Sequence, residues 1–401
     1  MVLIFGGTTE GRTAVRVLDE AGTPYYYSTK SDTQQIECKH GTRVAGGMDT
    51  SEMQNFCTRH DIRLIVDAAH PFASQLHANI AAVSERLDIP VIRLERLYPE
   101  RDESLVWCDS FDDAIDYLEQ HHTHNLLALT GVQTIGKMRR YWEKTPCWFR
   151  VLDRKQSLDL ALRAGFPRER LLFWQDKQDE AVLFREIQPD AIITKESGES
   201  GFYTEKITAA KALGIPVLVI RRPALPESFY TVNGEHGLRY RVERLVPGFF
   251  PLRSGFTTGS CATAATVAAL QGLLTGEPQQ QSTITLPNGE TITFPVASCT
   301  FASNSCTCGI TKDAGDDPDV TNGYTIYAEI TPSATPGVHF LQGEGVGTVT
   351  LPGLGLPIGV PAINITPRTM MTREAERLLR EHKDIPGIDI RISVPGGKEL
   401  A

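Results

Sequence analysis

Three things are scarce in this sequence: an excess of positive charge, long apolar runs and closely spaced cysteines. The 401 residues carry a formal net charge of −9. This argues against a general nucleic-acid-binding protein, which needs basic residues to neutralise phosphates. No apolar run approaches the ~20 residues that a membrane-spanning helix needs, and the N-terminus enters a short strand and a glycine turn without a charged leader. We therefore expect a cytoplasmic protein that binds neither nucleic acid nor membranes.

The cysteines exclude another class of protein. Eight cysteines are scattered over the chain, unlike the dense framework of a small disulfide-rich secreted domain. Only Cys306 and Cys308 are closely spaced, and no second Cys or His pair follows at the spacing that a zinc site requires. The sequence therefore predicts reduced thiols and no metal site.

The first part of the chain shows a regular alternation of two kinds of segment. From residue 1 to about 245, short β-rich runs alternate with amphipathic stretches, which is typical of parallel α/β units. Eight runs have the composition of strands: 2–5, 25–28, 64–69, 91–94, 126–130, 147–151, 191–194 and 217–220. Because eight strands exceed one mononucleotide-binding half, we predict two Rossmann-like lobes with parallel sheets, residues 1–128 and 129–247.

A change of composition follows these lobes. Pro and Gly are frequent around 246–253, and Thr, Gly and other small residues dominate beyond it, so we place a domain boundary there. An Ala-rich stretch predicts a helix from about Ser260 to Leu274. Alternating Thr and Ile on both sides of Asn288-Gly289 predict a β-hairpin. Residues 253–401 are therefore predicted to form an α+β domain.

A glycine-rich turn, "GGTTEG", separates the first predicted strand from the first helix. Gly6, Gly7 and Gly11 would let bare backbone approach a pyrophosphate, whose charge would then lie at the helix N-terminus. The spacing is not G-x-G-x-x-G, and glycine turns also join strands to helices for purely geometric reasons. The position at the start of an alternating α/β chain favours nucleotide binding.

The second strand indicates which nucleotide is preferred. An NAD enzyme usually ends this strand with an acidic residue that binds the ribose hydroxyls, whereas this chain has Ser28, Thr29 and Lys30. Hydroxyls and a cation suit a 2′-phosphate, so the sequence favours NADPH, with NADH as the alternative cofactor. The competing interpretation is that Lys30 is an ordinary exposed lysine.

Three further strand-end turns carry polar or titratable residues. They are "DAAHPFA" (67–73), "LTGVQTIGK" (129–137) and "TKESGESGFYTEK" (194–206). Since open α/β sheets bind ligands at the carboxyl ends of their strands, these turns predict a lined cleft. His70 taken alone would more often be a capping or core histidine.

Together, "GGTTEG", "DAAHPFA", "LTG" and "ITKESGESGFYTEKITAAKALGIPVLVIRRP" resemble, in that order and spacing, the precorrin-6A reductase family of cobalamin biosynthesis. The resemblance spans about residues 1–245. It implies hydride transfer from NAD(P)H to a tetrapyrrole ring. It also implies that these residues contact the cofactor: Gly6, Gly7, Thr8, Gly11, His70, Pro71, Thr130 and Gly131. The residues it implies for ring binding are Phe72, Lys195, Glu196, Ser197 and Gly198.

Hydride transfer is performed by the cofactor, so the protein must mainly hold two planar partners in contact and supply a proton. No nucleophile triad is evident, and we identify no catalytic residue from the sequence. A corrin precursor carries several carboxylates that cations could bind. Candidate cations are Arg93, Arg96, Lys137, Arg139, Arg140, Arg221 and Arg222. Each of them is more often an ordinary solvated charge.

The second part contains "GFTTGS" and "KDAGDDPDVTNG", the latter with four aspartates in seven residues. The first motif offers a helix N-terminus with hydroxyls for an anion. In the second, Gly and Tyr stand where an EF-hand loop has acidic ligands, so that type of calcium site is excluded. A solvated turn fits its Gly, Pro and Asn-Gly residues, and a pair of catalytic carboxylates would depend on burial that sequence does not reveal.

Both motifs, followed by "GEGVGTVTLPGLGLPIGVPAINITPRTMM", resemble the cobalt-precorrin-5B C(1)-methyltransferase family, which belongs to the same pathway. The resemblance implies S-adenosylmethionine as methyl donor and ring contacts at five residues: Thr257, Thr258, Asp313, Asp316 and Asp317. Members of that family continue past "ISVPGGKEL" into further glycine-rich sequence. We therefore expect residues 253–401 to be the N-terminal, truncated part of a methyltransferase.

The resulting hypothesis is a bifunctional enzyme of cobalamin biosynthesis. It would reduce precorrin-6A or cobalt-precorrin-6A with NADPH, and it would carry part of a cobalt-precorrin-5B C(1)-methyltransferase. Its partners would be a tetrapyrrole substrate and, as further candidates, other corrin-pathway enzymes. The alternative is a nucleotide- and tetrapyrrole-binding module without catalytic turnover.

Overall fold

A computed structural model describes residues 1–31, 35–175, 179–198, 202–351 and 355–397. Residues 199–201 of the third strand-end turn and 398–401 of the predicted last domain lie outside the described residues. The chain forms two compact units. One consists of Met1–Ala68, Ala82–Glu95 and Ser228–Ala401, and the other of Ala69–Ala81 and Arg96–Glu227.

Strands and helices alternate through the first two thirds of the chain. Up to Glu95 they are β1 (Val2–Phe5), α1 (Thr9–Asp19), β2 (Tyr25–Thr29), β3 (Gly41–Ala45), α2 (Thr50–Arg59), β4 (Leu64–Asp67), α3 (Ser74–Leu87) and β5 (Val91–Glu95). From there to Glu227 they are β6 (Val106–Cys108), α4 (Phe111–Gln120), β7 (Leu126–Ala128), α5 (Arg139–Trp142), β8 (Cys147–Leu152), α6 (Lys155–Arg163), β9 (Leu171–Trp174), α7 (Glu180–Ile187), β10 (Ala191–Lys195), α8 (Tyr203–Ala212) and β11 (Val217–Ile220).

The last part begins with β12 (Tyr230–Asn233) and α9 (Gly234–Leu245). Beyond them follow α10 (Thr258–Thr275), β13 (Gln281–Thr285), β14 (Thr291–Pro295), β15 (Ser298–Phe301), β16 (Cys306–Thr311), β17 (Thr325–Ser333), β18 (Gly337–Gln342), α11 (Ile365–Leu379) and β19 (Gly387–Ser393). None of the helices within the described ranges is long and apolar enough to cross a membrane.

The first sheet is parallel and has the strand order β12-β5-β4-β1-β2-β3. Its central strand β1 is a continuous apolar run whose residues are all buried, as expected for a strand covered on both faces. The order matches that of the doubly wound mononucleotide-binding fold. Strand β12, which follows more than a hundred residues after β5, takes the sixth position.

The second sheet repeats this arrangement. It is also parallel, with the order β6-β11-β10-β7-β8-β9. Strand β7 takes the central position, and the sixth position is filled by β6, which precedes β7 in the chain. The two sheets therefore share the order of five strands, but the sixth strand follows the other five in the chain in the first sheet and precedes them in the second.

The predicted lobe boundary at 128/129 does not coincide with this pairing. Strands β6 and β7 would belong to the first lobe, but both pair within the second sheet, and β12 pairs within the first. The sheets instead divide the chain after Glu95 and again near Ser228. The reason is that the second sheet consists of the six consecutive strands β6 to β11, whereas the first consists of β1 to β5 and takes its sixth strand, β12, from beyond the second sheet.

In each sheet the strand order reverses beside the central strand. The reversal lies between β1 and β4 in the first sheet and between β7 and β10 in the second. At such switch points the loops from the carboxyl ends of the two strands diverge, which leaves a crevice for a ligand. We call these the first and second switch points.

The last domain has the predicted α+β architecture. Helix α10 is buried along most of its length and packs on the five-stranded mixed sheet β15-β16-β17-β19-β18. The predicted hairpin is confirmed as the antiparallel pair β13-β14. The predicted fold class, two parallel α/β lobes followed by an α+β domain, is therefore confirmed.

Candidate functional site

The glycine turn at the first switch point is closely packed around one tyrosine. A Cβ on Gly6 would lie 2.4 Å from the Tyr27 ring, and one on Gly11 would lie 2.8 Å from the Tyr27 hydroxyl and 2.9 Å from the Gly6 Cα. The Gly7 N–H donates to the Tyr27 hydroxyl at 3.0 Å, and Gly7 has a φ of +96°. Glycine is therefore required at these three positions by packing and backbone conformation.

Helix α1 begins directly after this turn. The Thr8 hydroxyl accepts from the Gly11 N–H at 3.1 Å and donates to the Ala68 carbonyl, at the end of β4, at 2.7 Å. Thr8 thus caps the helix and ties together the two loops of the first switch point. The helix N-terminus favours an anion, although Glu10 in the first turn carries charge of the same sign as a phosphate.

The end of β2 lies beside this turn, since the Gly6 N–H donates to the Ser28 carbonyl at 2.9 Å. Ser28 and Thr29 are buried, and the Thr29 hydroxyl donates to the Ser31 carbonyl at 2.9 Å. Lys30 is exposed. Of the three predicted nucleotide-binding residues on this strand, Lys30 therefore has the most accessible side chain.

Two arginines that the sequence reasoning missed lie near the same turn. Arg12 and Arg43 are exposed, and both are close enough to Tyr27 to lower its pKa, although burial raises that pKa overall. Arg12 directly follows Gly11, the third glycine of the turn, and this position in the sequence could have identified it. Arg43 lies on β3, an edge strand that was not predicted.

The second switch point has a different construction. After β7, the buried Thr130 hydroxyl lies 2.6 Å from the Thr134 hydroxyl, which donates to the Gly131 carbonyl at 2.7 Å. Gly131 has a φ of +83° and begins a short 3-10 turn instead of an α-helix. The hydroxyl pair fixes the shape of this loop.

Lys195, the last residue of β10, is the most perturbed cation at the second switch point. Its ammonium lies 5.1 Å from the centre of the Phe72 ring, within the range of a cation–π contact. Burial, with a smaller contribution from the Lys137 charge, lowers the pKa of Lys195 to about 8. The side chain therefore combines a positive charge with readiness to release a proton near neutral pH.

The loop that contains Phe72 is stabilised by a hydrogen bond to His70, a residue of the same loop. The Phe72 N–H donates to His70 Nδ1 at 3.2 Å, and His77 Nε2 lies 3.1 Å from the His70 carbonyl. Pro71 is buried and His70 is exposed. In the second unit, Phe72 and Lys195, which the resemblance assigned to ring binding, are therefore in contact.

Glu196 is buried and engaged by two arginines. Its carboxylate accepts from Arg101 Nε and Nη2, both at 3.1 Å, and from the Arg222 backbone N–H at 3.1 Å. The Arg222 guanidinium lies 3.5 Å away. Glu196 therefore positions arginines, one of which, Arg101, was not among the predicted cations.

The next two residues belong to the same loop. Arg96 Nη1 donates to the Ser197 carbonyl at 2.8 Å. Gly198 has a φ of +67°, and a Cβ there would lie 2.9 Å from the Arg96 side chain. The positive φ and the close contact with Arg96 thus explain why residue 198 is a glycine.

The remaining arginines among the candidate cations fall into two groups. Arg93 is fully buried and pairs with Asp67 at 3.0 Å and with Glu95 at 3.3 Å, so the expectation that it binds a ring carboxylate is wrong. Three arginines pair with neighbouring acids at the surface: Arg139 with Glu143, Arg140 with Asp116, and Arg221 with Asp109.

In the last domain, the "GFTTGS" turn and the aspartate loop are in direct contact. The Phe256 N–H donates to the Asp313 carbonyl at 2.8 Å, and a Cβ on Gly255 would lie 1.9 Å from the Ala314 backbone. Thr257 caps α10 by accepting from the Ser260 N–H at 3.2 Å. The two motifs that carried the methyltransferase resemblance therefore form one structure.

Lys312 lies at the centre of this structure and was missed by the sequence reasoning. Its side chain is 1% exposed, and its ammonium lies 2.5 Å from the Asp319 carboxylate. It also donates to the Thr258 and Thr321 hydroxyls at 3.1 and 2.7 Å. The Lys312 ammonium thus joins the turn before α10 to the aspartate loop, and together with Thr321 it lowers the pKa of Asp319 to about 2.

Most of the aspartates are engaged within the domain or by the neighbouring helix. Asp313 accepts from Arg244 of α9 at 2.7 Å and from the Gly315 N–H at 2.9 Å. Asp316 accepts from the Arg253 N–H at 2.7 Å. Asp317 is exposed. The loop is therefore organised by ion pairs and backbone hydrogen bonds, while the side chains of Asp316 and Asp317 are exposed to solvent.

The topology and the two switch points define the first part as a doubly wound α/β protein with a nucleotide-binding type of glycine turn. Residues 1–236 match the family described as precorrin-6x reductase CbiJ/CobK. The chain belongs to this family, as the sequence predicted, and residues 248–401 match the CbiD family. The fusion predicted from the sequence is thus confirmed, and it lies within cobalamin biosynthesis.

Similar proteins were found for each part. A cobalt-precorrin-5B C(1)-methyltransferase from Geobacillus kaustophilus is 49% identical over 150 residues, 37% of this chain and 40% of that protein. One from Burkholderia cenocepacia is 50% identical over 151 residues, 38% of this chain and 42% of that protein. The chain thus spans about two fifths of the length of these curated relatives.

A solved structure titled CobK precorrin-6A reductase resembles the first part. The match has a TM-score of 0.51 and 21% sequence identity, and it covers 61% of this chain and 97% of that chain. At this identity the likeness shows the fold alone.

Proposed function

We propose that the chain reduces precorrin-6A, or its cobalt complex, with NADPH as the hydride donor. The observation that supports this proposal is the position of the predicted residues. Those of the first lobe lie after the ends of β1, β2 and β4, and those of the second at the ends of β7 and β10. Both sets flank the central strand of a doubly wound sheet, where ligands bind in such folds.

The first switch point fits a dinucleotide. The crowded glycines Gly6 and Gly11 leave backbone where a side chain would otherwise stand, and the N-terminus of α1 attracts a pyrophosphate. Lys30, Arg12 and Arg43 would offset the Glu10 charge and favour the 2′-phosphate of NADPH over NADH. When bound, NADPH supplies a hydride.

The second switch point fits the ring. Phe72 offers an aromatic face, while Arg101 and Arg222, held by Glu196, offer guanidinium groups to ring carboxylates. Positioned arginines of this kind give both affinity and orientation.

We assign the proton of the reaction to Lys195. Reduction of a carbon–carbon or carbon–nitrogen double bond adds a hydride to one atom and a proton to the other. The Lys195 ammonium would donate that proton from Nζ and be reprotonated from solvent. Its pKa of about 8 lies near the operating pH, where a general acid is most effective.

For residues 253–401 we propose a role in C(1) methylation of cobalt-precorrin-5B. Thr257, Thr258 and the aspartate loop would face the ring, with Asp317 as the accessible carboxylate. In the described part of this domain, Asp313, Asp316 and Asp319 are engaged by cations and backbone groups. S-adenosylmethionine as methyl donor stays a prediction from the family resemblance.

The reductase proposal is tested by incubating the full chain with NADPH and precorrin-6A. The expected result is loss of the nicotinamide absorbance together with a ring product two hydrogens heavier. Parallel reactions with NADH and with the cobalt-containing ring measure cofactor and substrate preference. Binding of both ligands without oxidation would instead identify a non-catalytic module.

The methylation proposal needs a separate reaction. The full chain, S-adenosylmethionine and cobalt-precorrin-5B should yield a ring heavier by one methyl group in place of one hydrogen. An unchanged ring mass, in a preparation whose reductase is active, would contradict the proposal for this domain alone.

A further inference from the structure

Three cysteines come together on one face of the β15–β16 pair. The register places Cys299 opposite Cys308 and Phe301 opposite Cys306. Cys306 and Cys308 are two residues apart on one strand, so their side chains share a face. All three sulfur atoms lie within 4.8 Å of one another, and the Sγ atoms of Cys299 and Cys306 are 3.7 Å apart.

Helix α10 covers this face and makes room for the sulfurs. A Cβ on Gly272 would lie 2.9 Å from the Cys306 sulfur, 3.6 Å from the Cys299 sulfur and 3.5 Å from the Glu277 carbonyl oxygen. Glycine within a helix costs about 1 kcal/mol relative to alanine. Its presence near the end of an 18-residue buried helix is explained by this close approach.

We propose that Cys299, Cys306 and Cys308 bind one thiophilic metal ion of the Zn²⁺ type. Tetrahedral coordination with Zn–S bonds of about 2.3 Å places thiolate sulfurs about 3.8 Å apart, close to the separation of the Cys299 and Cys306 sulfurs. Thiolate is also the donor that such ions prefer over the oxygen ligands favoured by Mg²⁺ or Ca²⁺. In the sequence, the Cys306–Cys308 pair by itself had too few ligands for a metal site. The pairing of β15 with β16 adds Cys299 as the third ligand.

The three cysteines differ in burial, and this difference would allow an ion to enter the site. Cys306 and Cys308 are buried, whereas Cys299 is half-buried, which leaves a route for an ion and for a fourth ligand from solvent. The Glu277 carbonyl, which accepts from the Gln279 side chain at 2.9 Å, is a second candidate for that position. An ion bound by both strands would stabilise the β15–β16 pair beneath α10.

The probe for this site is Co²⁺, followed by Zn²⁺ as competitor. The full chain is stripped of metal under reducing conditions and titrated with Co²⁺. The expected result is one equivalent bound, with an intense thiolate-to-cobalt absorption that Zn²⁺ abolishes. Absence of that absorption, together with no retention of Zn²⁺ after gel filtration, would overturn the proposal.

Substitutions and labelling test the ligands independently. Cys299→Ser and Cys306→Ser should each weaken Co²⁺ binding at least tenfold, whereas Cys57→Ser, a buried cysteine of the first lobe, should not. Alkylation of the wild-type chain provides a second measurement that does not depend on the folding of a serine variant. Zn²⁺ should protect Cys299, Cys306 and Cys308 from a thiol reagent and leave the labelling of Cys38, a half-buried cysteine, unchanged.

Two other results would also overturn the proposal. One is a wild-type chain that is two hydrogens lighter when purified without reductant and binds no metal after reduction, which would identify a disulfide. The other is unchanged Co²⁺ affinity in the folded Cys299→Ser variant, which would leave the three residues as ordinary core side chains.

Discussion

The two parallel sheets share the order of five strands but differ in the groups that form their switch points. At the first, three glycines pack against Tyr27 and an 11-residue helix begins at once, capped by Thr8. At the second, a 3-10 turn follows Gly131, and the prominent groups are the side chains of Lys195 and Glu196 with the arginines bound to it. The first is made mainly of backbone, the second mainly of charged side chains.

This difference teaches which ligand suits each sheet. A pyrophosphate is compact and is bound well by amides at a helix N-terminus. A macrocycle with carboxylates spread around its edge is better bound by separate guanidinium groups and an aromatic face. We therefore attribute the two proposed kinds of site to the different loops that follow the strands of the two sheets.

The comparison is tested most severely by Lys195→Met. We expect kcat of the reductase to fall by roughly 100-fold or more, because general acid catalysis typically contributes that much, while the Kd for NADPH stays unchanged. Steady-state kinetics and cofactor titration measure the two effects. Lys144→Met is the matched control, since Lys144 is an exposed lysine of the same unit; a fully active Lys195→Met variant would remove Lys195 from the reaction.

The same lysine predicts a pH dependence. The pKa of Lys195 is lowered from 10.5 to about 8, so the ammonium is the main form below that pH and is lost above it. A rate that needs the ammonium should therefore fall about tenfold per pH unit above about 8. The pH profile of kcat measures this, and in Lys195→Arg the alkaline fall should disappear. A flat wild-type profile would contradict the assignment.

On the first lobe, Gly11→Ala should act on the cofactor. Its Cβ would meet the Tyr27 hydroxyl at 2.8 Å and the Gly6 Cα at 2.9 Å, and overpacking of this kind costs about 1–3 kcal/mol. We expect roughly tenfold weaker NADPH binding, measured by titration calorimetry, with ring binding unchanged. Gly47→Ala is the control, because nothing lies within 4 Å of its Cβ position. Equal effects on both ligands would break the comparison.

The smallest expected effect is on stability. It concerns the N-terminus of α9, which already binds a carboxylate. The carboxylate of Glu290, between β13 and β14, accepts from the N–H groups of Glu235, His236 and Gly237 at 2.9, 2.9 and 3.2 Å. Glu290→Gln should lower the free energy of unfolding by about 1 kcal/mol, because the charge that favours the start of α9 is lost. Thermal unfolding measures it.

The control for this variant is Glu277→Gln, an exposed glutamate of the same domain. An unchanged melting temperature in Glu290→Gln would indicate that backbone amides in this protein gain little from an anion, which would weaken the argument for the first switch point as well.

The strands that the sequence predicted and those that it missed differ in one respect. All eight predicted runs are strands of the two sheets, and all eight include buried positions on both faces. The four missed strands of these two sheets are β3, β6, β9 and β12, and each lies at an edge of its sheet. Edge strands are covered less completely, so their sequences lack the continuous apolar run that identifies a central strand.

The residues of the candidate sites also divide into those with a local sequence pattern and those without one. Glycine turns, hydroxyls and the aspartate loop were visible as patterns, because backbone conformation restricts the residue types at such positions. Arg43, Lys312 and Cys299 were not recognised, because their surroundings come from residues distant in the chain, and Arg12 was missed although it directly follows Gly11. Lys312, for example, meets Thr258 from 54 residues earlier.

The sequence by itself thus determined the α/β and α+β classes, the central strands and the family, since hydrophobic periodicity and local motifs are properties of short segments. Tertiary structure alone decided that β6 and β12 occupy the sixth positions, that Lys312 is buried against Asp319, and that Cys299 joins Cys306 and Cys308. The physical reason is that pairing between distant strands and burial of charge depend on the whole fold.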